Sequence, residues 1–271
     1  MAHNLYIQDG RASMMYFGEK PWHGLGQEVD HPATAAQALA AAMLDYDVIK
    51  QPVYASVGSG KQEIPRKYAL VRADQVNRDD CPVYGVVGAN YTPLQNREAF
   101  QFFDPIVGEG AAIYHTAGAL GNGEHVWILA KLPGHIRVVG DDVAEKYLLL
   151  SNSHDGQSSV RVKFTPVRVV CQNTLTMALK RGSAVRVPHT KNVVDNLRNA
   201  HEMLGIINNG FEQFQTLYRR MADVQVNANM LDRYLRTVFP DPNGSDSEKA
   251  RKIAAQHRAW ATHFFAEGRG N

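Results

Sequence analysis

From Val160 to Thr165 apolar and polar side chains alternate. Val160, Val162 and Phe164 fall on one side and Arg161, Lys163 and Thr165 on the other, the period of a strand with one buried face. The second face is predicted to meet solvent and to be cationic. Beyond Pro166 the period lengthens. Arg168, Gln172, Thr176 and Lys180 stand four apart and stack on one side of a helix, while Val170, Cys171, Leu175, Ala178 and Leu179 turn inward. Strand and helix together predict adjacent polar, basic rows.

Similar patterns upstream give a helix over 33–44, strands over 48–57 and 67–71, and a second helix over 95–107. They are followed by strands over 111–119, 124–131, 135–139 and 146–151. Turn residues at Gly121–Gly123 and at Asp155–Gly156 separate these strands as hairpins. From the N-cap candidate Thr190 the chain reads as helical to its end, apart from a break at 240–244, and Ser245 and Glu248 make a capping box for the last helix. Within this region Leu197, Ala200, Leu204, Ile207, Phe211, Phe214, Tyr218 and Met221 are spaced alternately three and four apart, a seam of the coiled-coil type. Gly205 and Gly210 weaken that helix by about 1 kcal/mol each relative to alanine, so a break near 208–210 is expected.

The fold class read from these elements is α+β: an antiparallel β meander packed against a central helix. A small N-terminal α+β cap (1–90) precedes the sheet region (91–188), and a helical C-terminal region (189–271) follows it. A chain of 271 residues, 44% of them hydrophobic, is long enough to bury a substantial core.

Net charge is +2, which conceals a polarised chain. Residues 1–150 carry a net charge of −5, residues 151–200 of +6 and residues 201–271 of +1. The cationic stretch coincides with the basic strand and helix, a surface suited to a phosphate backbone: separated cations with amide and hydroxyl donors between them. No run approaches the roughly 20 apolar residues of a membrane span, and the polar start lacks the apolar stretch of a signal peptide, so a cytoplasmic protein without a membrane partner is expected. Cys81 and Cys171 read as reduced thiols outside any metal spacing.

Hydrolytic signatures are missing. The glycines near Gly118, Gly121 and Gly123 do not open a helix after a strand, no Walker lysine is present, and there is no nucleophile elbow. His154 and Asp155 are adjacent, as in metal phosphohydrolases, but lie in Ser-Asn-Ser-His-Asp-Gly, a turn composition. Neither metal nor cofactor is therefore expected. Pro21-Trp22-His23-Gly24-Leu25-Gly26 is the remaining motif. Trp22 and His23 are candidates for stacking on a base; equally, Trp22 would serve to anchor a glycine-rich turn on the core.

This motif resembles one in the phage/plasmid-like protein family, a domain of unknown function. So do Leu150-Ser-Asn-Ser-His-Asp-Gly156, Arg168-Val-Val-Cys-Gln-Asn-Thr-Leu175 and His189-Thr-Lys-Asn-Val193. The resemblance implies a bacterial mobile-element protein, and implies further residues after a Gly-Arg-Gly-Asn segment like 268–271. The expected architecture is also similar to that of the phage single-strand annealing proteins of the RecT and Redβ type, which hold single strands in a cationic groove along an oligomer without ATP. That is a likeness of fold and not of motif.

The resulting expectation is an ATP-independent, homo-oligomeric protein that binds or anneals single-stranded DNA, with a host or phage recombination protein as a further partner. Arg161, Lys163, Arg168, Lys180, Arg181, Arg186 and Lys191 would neutralise phosphates, while Gln172, Asn173 and Thr176 donate hydrogen bonds. The alternatives are a protein-binding anti-defence factor presenting the acidic N-terminal region, and a metal-dependent nuclease built on His154 and Asp155.

Overall fold

A computed structural model describes residues 3–104, 107, 112–139, 142–180, 184–206, 209–224, 226–240 and 248–267. Twelve strands are described: β1 (Ile7–Gln8), β2 (Arg11–Ala12), β3 (Met14–Phe17), β4 (Gln27–Val29), β5 (Val48–Val57), β6 (Gly60–Arg72), β7 (Gly85–Gly88), β8 (Ile113–Leu120), β9 (His125–Val139), β10 (Asp142–Ser153), β11 (Val160–Thr165) and β12 (Val185–Val187). The helices are α1 (Ala35–Ala41), α2 (Asn96–Gln101), α3 (Gln172–Lys180), α4 (Val193–Ile206), α5 (Asn209–Ala222), α6 (Ala228–Val238) and α7 (Glu248–Glu267). Two compact units result, Met1–Thr216 and Leu217–Asn271.

In the first unit seven strands form one sheet in the order β12-β11-β10-β9-β8-β3-β4, antiparallel except for the β3–β4 pair. The α+β class and the antiparallel meander follow the alternation in the sequence, and β11 has the predicted bounds. The sheet crosses the boundary expected near residue 90, because β3 pairs with β8, Met15 opposite Ala117. A smaller antiparallel sheet, β5-β6-β7, packs nearby. Where the sequence suggested two strands over 124–139, β9 runs through Pro133 and Gly134 to pair with β10 along its length.

The main sheet is covered on both faces. One core gathers Met15, Ala117, Ile128, Leu148 and Val162 beneath α1, α2, Leu70 and Val87 of the smaller sheet, and Val193 and Leu197 of α4. The other gathers Met14, Trp127, Leu129 and Leu149 beneath Val169, Val170 and Cys171, and beneath Leu175 and Ala178 of α3. Trp127 anchors this second core. It is fully buried; its Nε1 donates to Thr116 Oγ1 (3.2 Å), and Thr116 Oγ1 donates to the Val169 carbonyl (2.6 Å), which ties the lead-in of α3 to the sheet. A ring of this size buries about 200 Å² and stabilises by about 5 kcal/mol. Gly118 makes room for it, since a Cβ there would run into the Trp127 ring and the Ser13 carbonyl.

Because the second face is covered, the reading of β11 as half solvated needs correction. Lys163 and Thr165 are each only 2% exposed and Arg161 is half-buried. All three lie on the face of Leu149 and Trp127, as the register Leu149↔Lys163, Ser151↔Arg161 and Ser151↔Trp127 requires.

In the second unit α6 and α7 pack together, with Phe239 5.6 Å from His257 and Arg258 Nη1 donating to the Phe239 carbonyl at 2.8 Å. Among the described residues no helix is long and apolar enough to cross a membrane. Both cysteines are free.

Candidate nucleic-acid interface

α3 starts at Gln172, four residues later than its sequence period suggested. Thr174 explains the delay: its Oγ1 accepts from the amides of Val170 (2.9 Å) and Cys171 (3.0 Å), which lets Val169–Cys171 run extended into the second core before the helix turns. The exposed stripe of α3 is Asn173, Met177 and Lys180, so that of the predicted row within the helix Lys180 alone is exposed. Gln172 and Thr176 of that row are half-buried and bonded to each other. Thr176 Oγ1 donates to the Gln172 carbonyl at 2.8 Å, and Gln172 Nε2 to Thr176 Oγ1 at 3.3 Å. They shape the helix and leave Asn173 as the outward amide.

At the N-terminal end of α3 sits the Pro21–Gly26 loop. His23 Nδ1 accepts from the Leu25 amide (3.1 Å), so its Nε2 carries the proton and donates to the Val170 carbonyl at 3.0 Å. Gly26 (φ 108°) completes the bend where a Cβ would press on the Met14 carbonyl. The histidine, and not the tryptophan, therefore anchors the turn. Trp22 is 67% exposed, its ring edge-on to His23 at 5.2 Å. His3 lies beside His23 at 5.7 Å, and the Gln172 amide donates to the His3 carbonyl at 3.1 Å.

Arg168 belongs to this scaffold. Its Nη2 donates to the Glu19 carbonyl and its Nη1 faces the Glu19 carboxylate at 3.5 Å, so it straps the Trp22 loop down; it is not a free cation for phosphate. Sequence reasoning missed the strap because its two ends are 149 residues apart.

After α3 the chain reaches the edge of the sheet at β12. Arg161 and Arg186 are directly opposite each other on β11 and β12. Like charges in such a pair repel across about 5 Å. No carboxylate pairs with either among the described residues, and the buried Nε of Arg161 has no hydrogen-bond partner there. Lys163 is the next residue on the same face, and burial, with Arg161 beside it, holds its ammonium pKa below the usual lysine range. Lys180 and Arg186 are exposed. Arg181 lies outside the described residues. Lys191 is exposed but immediately precedes α4, whose Val193 and Leu197 pack in the other core, so it is not brought to this surface.

Two other polar clusters fit worse. His154 follows β10 in the predicted turn but points inward and is fully buried. Its Nε2 donates to Asn96 Oδ1 (3.0 Å), and burial pushes its pKa down to about 3. Nearby, Ser153 Oγ donates to Asp155 Oδ1 at 2.5 Å and lies 3.1 Å from His125 Nδ1. The serine proton is held by the carboxylate and not by the imidazole, the reverse of what an activated nucleophile needs. Among the described residues no group of histidine, cysteine and carboxylate side chains is arranged to hold a metal. A polar cleft of about 270 Å³ beside Gln8 and Gln75 has its own cation, Arg78, held in a fork by Asp80 at 2.9 and 3.0 Å.

The family model described as "Domain of unknown function (DUF932)" matches residues 83–271. UPF0380 protein YafZ of Escherichia coli (strain K12) is 39% identical over 87 residues, 32% of this chain and 31% of that protein. UPF0380 protein YfjQ of the same organism is 39% identical over 84 residues, 31% of this chain and 30% of that protein. The chain thus spans about a third of the length of either relative. No solved structure matches it.

Proposed function

The chain belongs to the DUF932 family, and from that premise we propose that it is a single-strand nucleic-acid-binding protein whose track is the outer face of α3. The reading is carried by one juxtaposition. The exposed Trp22 sits on the loop bonded to the start of α3, and an arginine pair without counter-carboxylates, Arg161 and Arg186, lies on the two strands at the sheet edge, both on the same side of the sheet. The helix is about 13 Å long and presents Asn173 and Lys180. Proteins that hold single strands without reading sequence combine these parts: an aromatic ring on which a base stacks, and cations that follow the backbone. Trp22 takes the base, Asn173 donates hydrogen bonds, and Lys180 and Arg186 take phosphates, with the half-buried Arg161 adding its charge beside them. His23 and Arg168 hold the loop in place. No nucleotide hydrolysis is required.

A salt titration tests this. The logarithm of affinity for single-stranded DNA should fall linearly with that of salt concentration, by about 0.7 for each phosphate neutralised. Lys180→Gln combined with Arg186→Gln should make the slope shallower by about 1.4 with little change in Tm, since both residues are exposed. An unchanged slope would remove this edge from the binding face.

Annealing, the activity of the phage proteins whose architecture the sequence suggested, would in addition require copies to assemble along a strand. Support for assembly comes from the far end of the apolar seam, where Leu217 is 41% and Met221 58% exposed. Ile207, in the middle of the seam, lies outside the described residues. Light scattering should give particles several times the 30.1 kDa of one chain, and Met221→Glu should shrink them without unfolding the protein. A strictly monomeric wild type would end the annealing reading and leave binding alone.

A further inference from the structure

Along one face of β11 and β12 the cations descend from surface to interior. Arg186 is exposed, Arg161 half-buried and Lys163 only 2% exposed. Arg161 and Arg186 are in direct register, and Lys163 is two residues, or about 7 Å, along the same strand face from Arg161. The Arg161 Nε lies below the surface without a hydrogen-bond partner among the described residues. β12 is the last strand of the sheet.

We propose that this edge is a seat for a terminal phosphate monoester, the phosphorylated end of a nucleic-acid strand. The proposal rests on the single-strand reading above and narrows it. Charge is the first reason. Two arginines in register are poorly matched by a phosphodiester, which brings one negative charge, and better matched by a monoester, which near neutral pH brings about 1.5 to 2. Depth is the second. Arg161 is half-buried beside the exposed Arg186, and a strand end, with chain on one side only, can approach its guanidinium more closely than a strand that continues in both directions. Geometry is the third. A monoester has three peripheral oxygens, enough for a forked pair of bonds to one guanidinium and a further bond to the other, whereas a diester has two. The strand would then run from this seat along α3 towards Trp22.

The experiment compares short single strands of one sequence, labelled internally, that carry a 5′ phosphate, a 3′ phosphate or hydroxyls at both ends, by fluorescence anisotropy on the full chain. One phosphorylated end should bind about tenfold or more tightly than the hydroxyl strand, the gain of one charge-assisted hydrogen bond. Which end does so gives the polarity of the strand on α3. Arg161→Gln should bring the ratio close to one. So should Arg186→Gln, whose exposed position keeps folding out of the comparison. Trp22→Ala should weaken phosphorylated and hydroxyl strands alike and preserve the ratio. Equal binding of all three strands by the wild type overturns the terminal-phosphate seat while the single-strand reading stands. A preference that survives Arg186→Gln also overturns it, by placing the seat elsewhere. Failure of every strand to bind overturns the single-strand reading and this inference together.

Discussion

Lowering the pH from 7.5 to 4.5 is expected to remove most of the stability of the first unit. Burial pushes the pKa of His154 down to about 3 and, with Arg168 and Lys131 nearby, that of His115 down to about 4, against 6.5 for a free histidine. Above pH 6.5 both rings are neutral in the folded and the unfolded chain and stability does not depend on them. Below 6.5 the unfolded chain takes up a proton at each ring that the folded chain refuses, so stability falls. Each histidine contributes up to about 1.4 kcal/mol per pH unit until its folded pKa is reached. Across the two units from 6.5 to 4.5 the pair removes roughly 4 to 5 kcal/mol, comparable with the whole stability of many domains. Thermal melts in a pH series should show Tm constant above pH 7 and falling steeply below 6. A Tm that does not change between pH 6.5 and 4.5 would mean that these rings are already charged in the fold, and that the neutral, donor-only role of His154 Nε2 towards Asn96 is wrong.

Trp22→Ala should weaken single-strand binding by about 1 to 3 kcal/mol, the range measured when one stacking ring is removed. That is between about fivefold and somewhat over a hundredfold in Kd. Two features separate this effect from a general loss of structure. Trp22 is 67% exposed and its loop is held by His23 and Arg168, so Tm should hardly move. Stacking also involves no counterion release, so the salt slope should stay that of the wild type while the whole line shifts down. A shallower slope would make Trp22 a support for the cations, and an unchanged affinity would remove the loop from the interface.

Much of the sheet was legible because its strands alternate. β5 and β11 have the expected bounds, and the meander from β8 to β11 follows from period-two patterning with turn residues between. Two things were not legible, for a common reason. Alternation separates the two faces of a strand but does not say what lies over each, so Lys163 and Thr165 read as solvated until α3 and its lead-in were seen covering that face. Short strands such as β3, β4 and β12 hold too few residues to show a period and are defined by their partners. At the interface the outward face of α3 was misread at Gln172 and Thr176, because four-residue spacing does not reveal that these two bond to each other, half-buried, and leave Asn173 outermost. Pro21–Gly26 was recognisable as a motif. That its histidine, and not its tryptophan, would be the anchor depended on Val170, 147 residues away.

The pairing of β3 with β8 also bears on how the chain is made and recognised. The family model matches from residue 83, yet the sheet within that region is finished by a strand from residues 14–17, itself flanked by one from 27–29. During synthesis β3 leaves the ribosome about a hundred residues before its partner and has to wait, while β9 and β10 can close on each other as soon as they emerge. Without β3, β8 would carry a row of unpaired amides and carbonyls along an apolar strand, Ile113-Tyr-His-Thr-Ala-Gly-Ala-Leu120, and become an open edge of the kind on which chains polymerise. The stretch that the family model matches and the stretch that completes the sheet are therefore different lengths of this polypeptide.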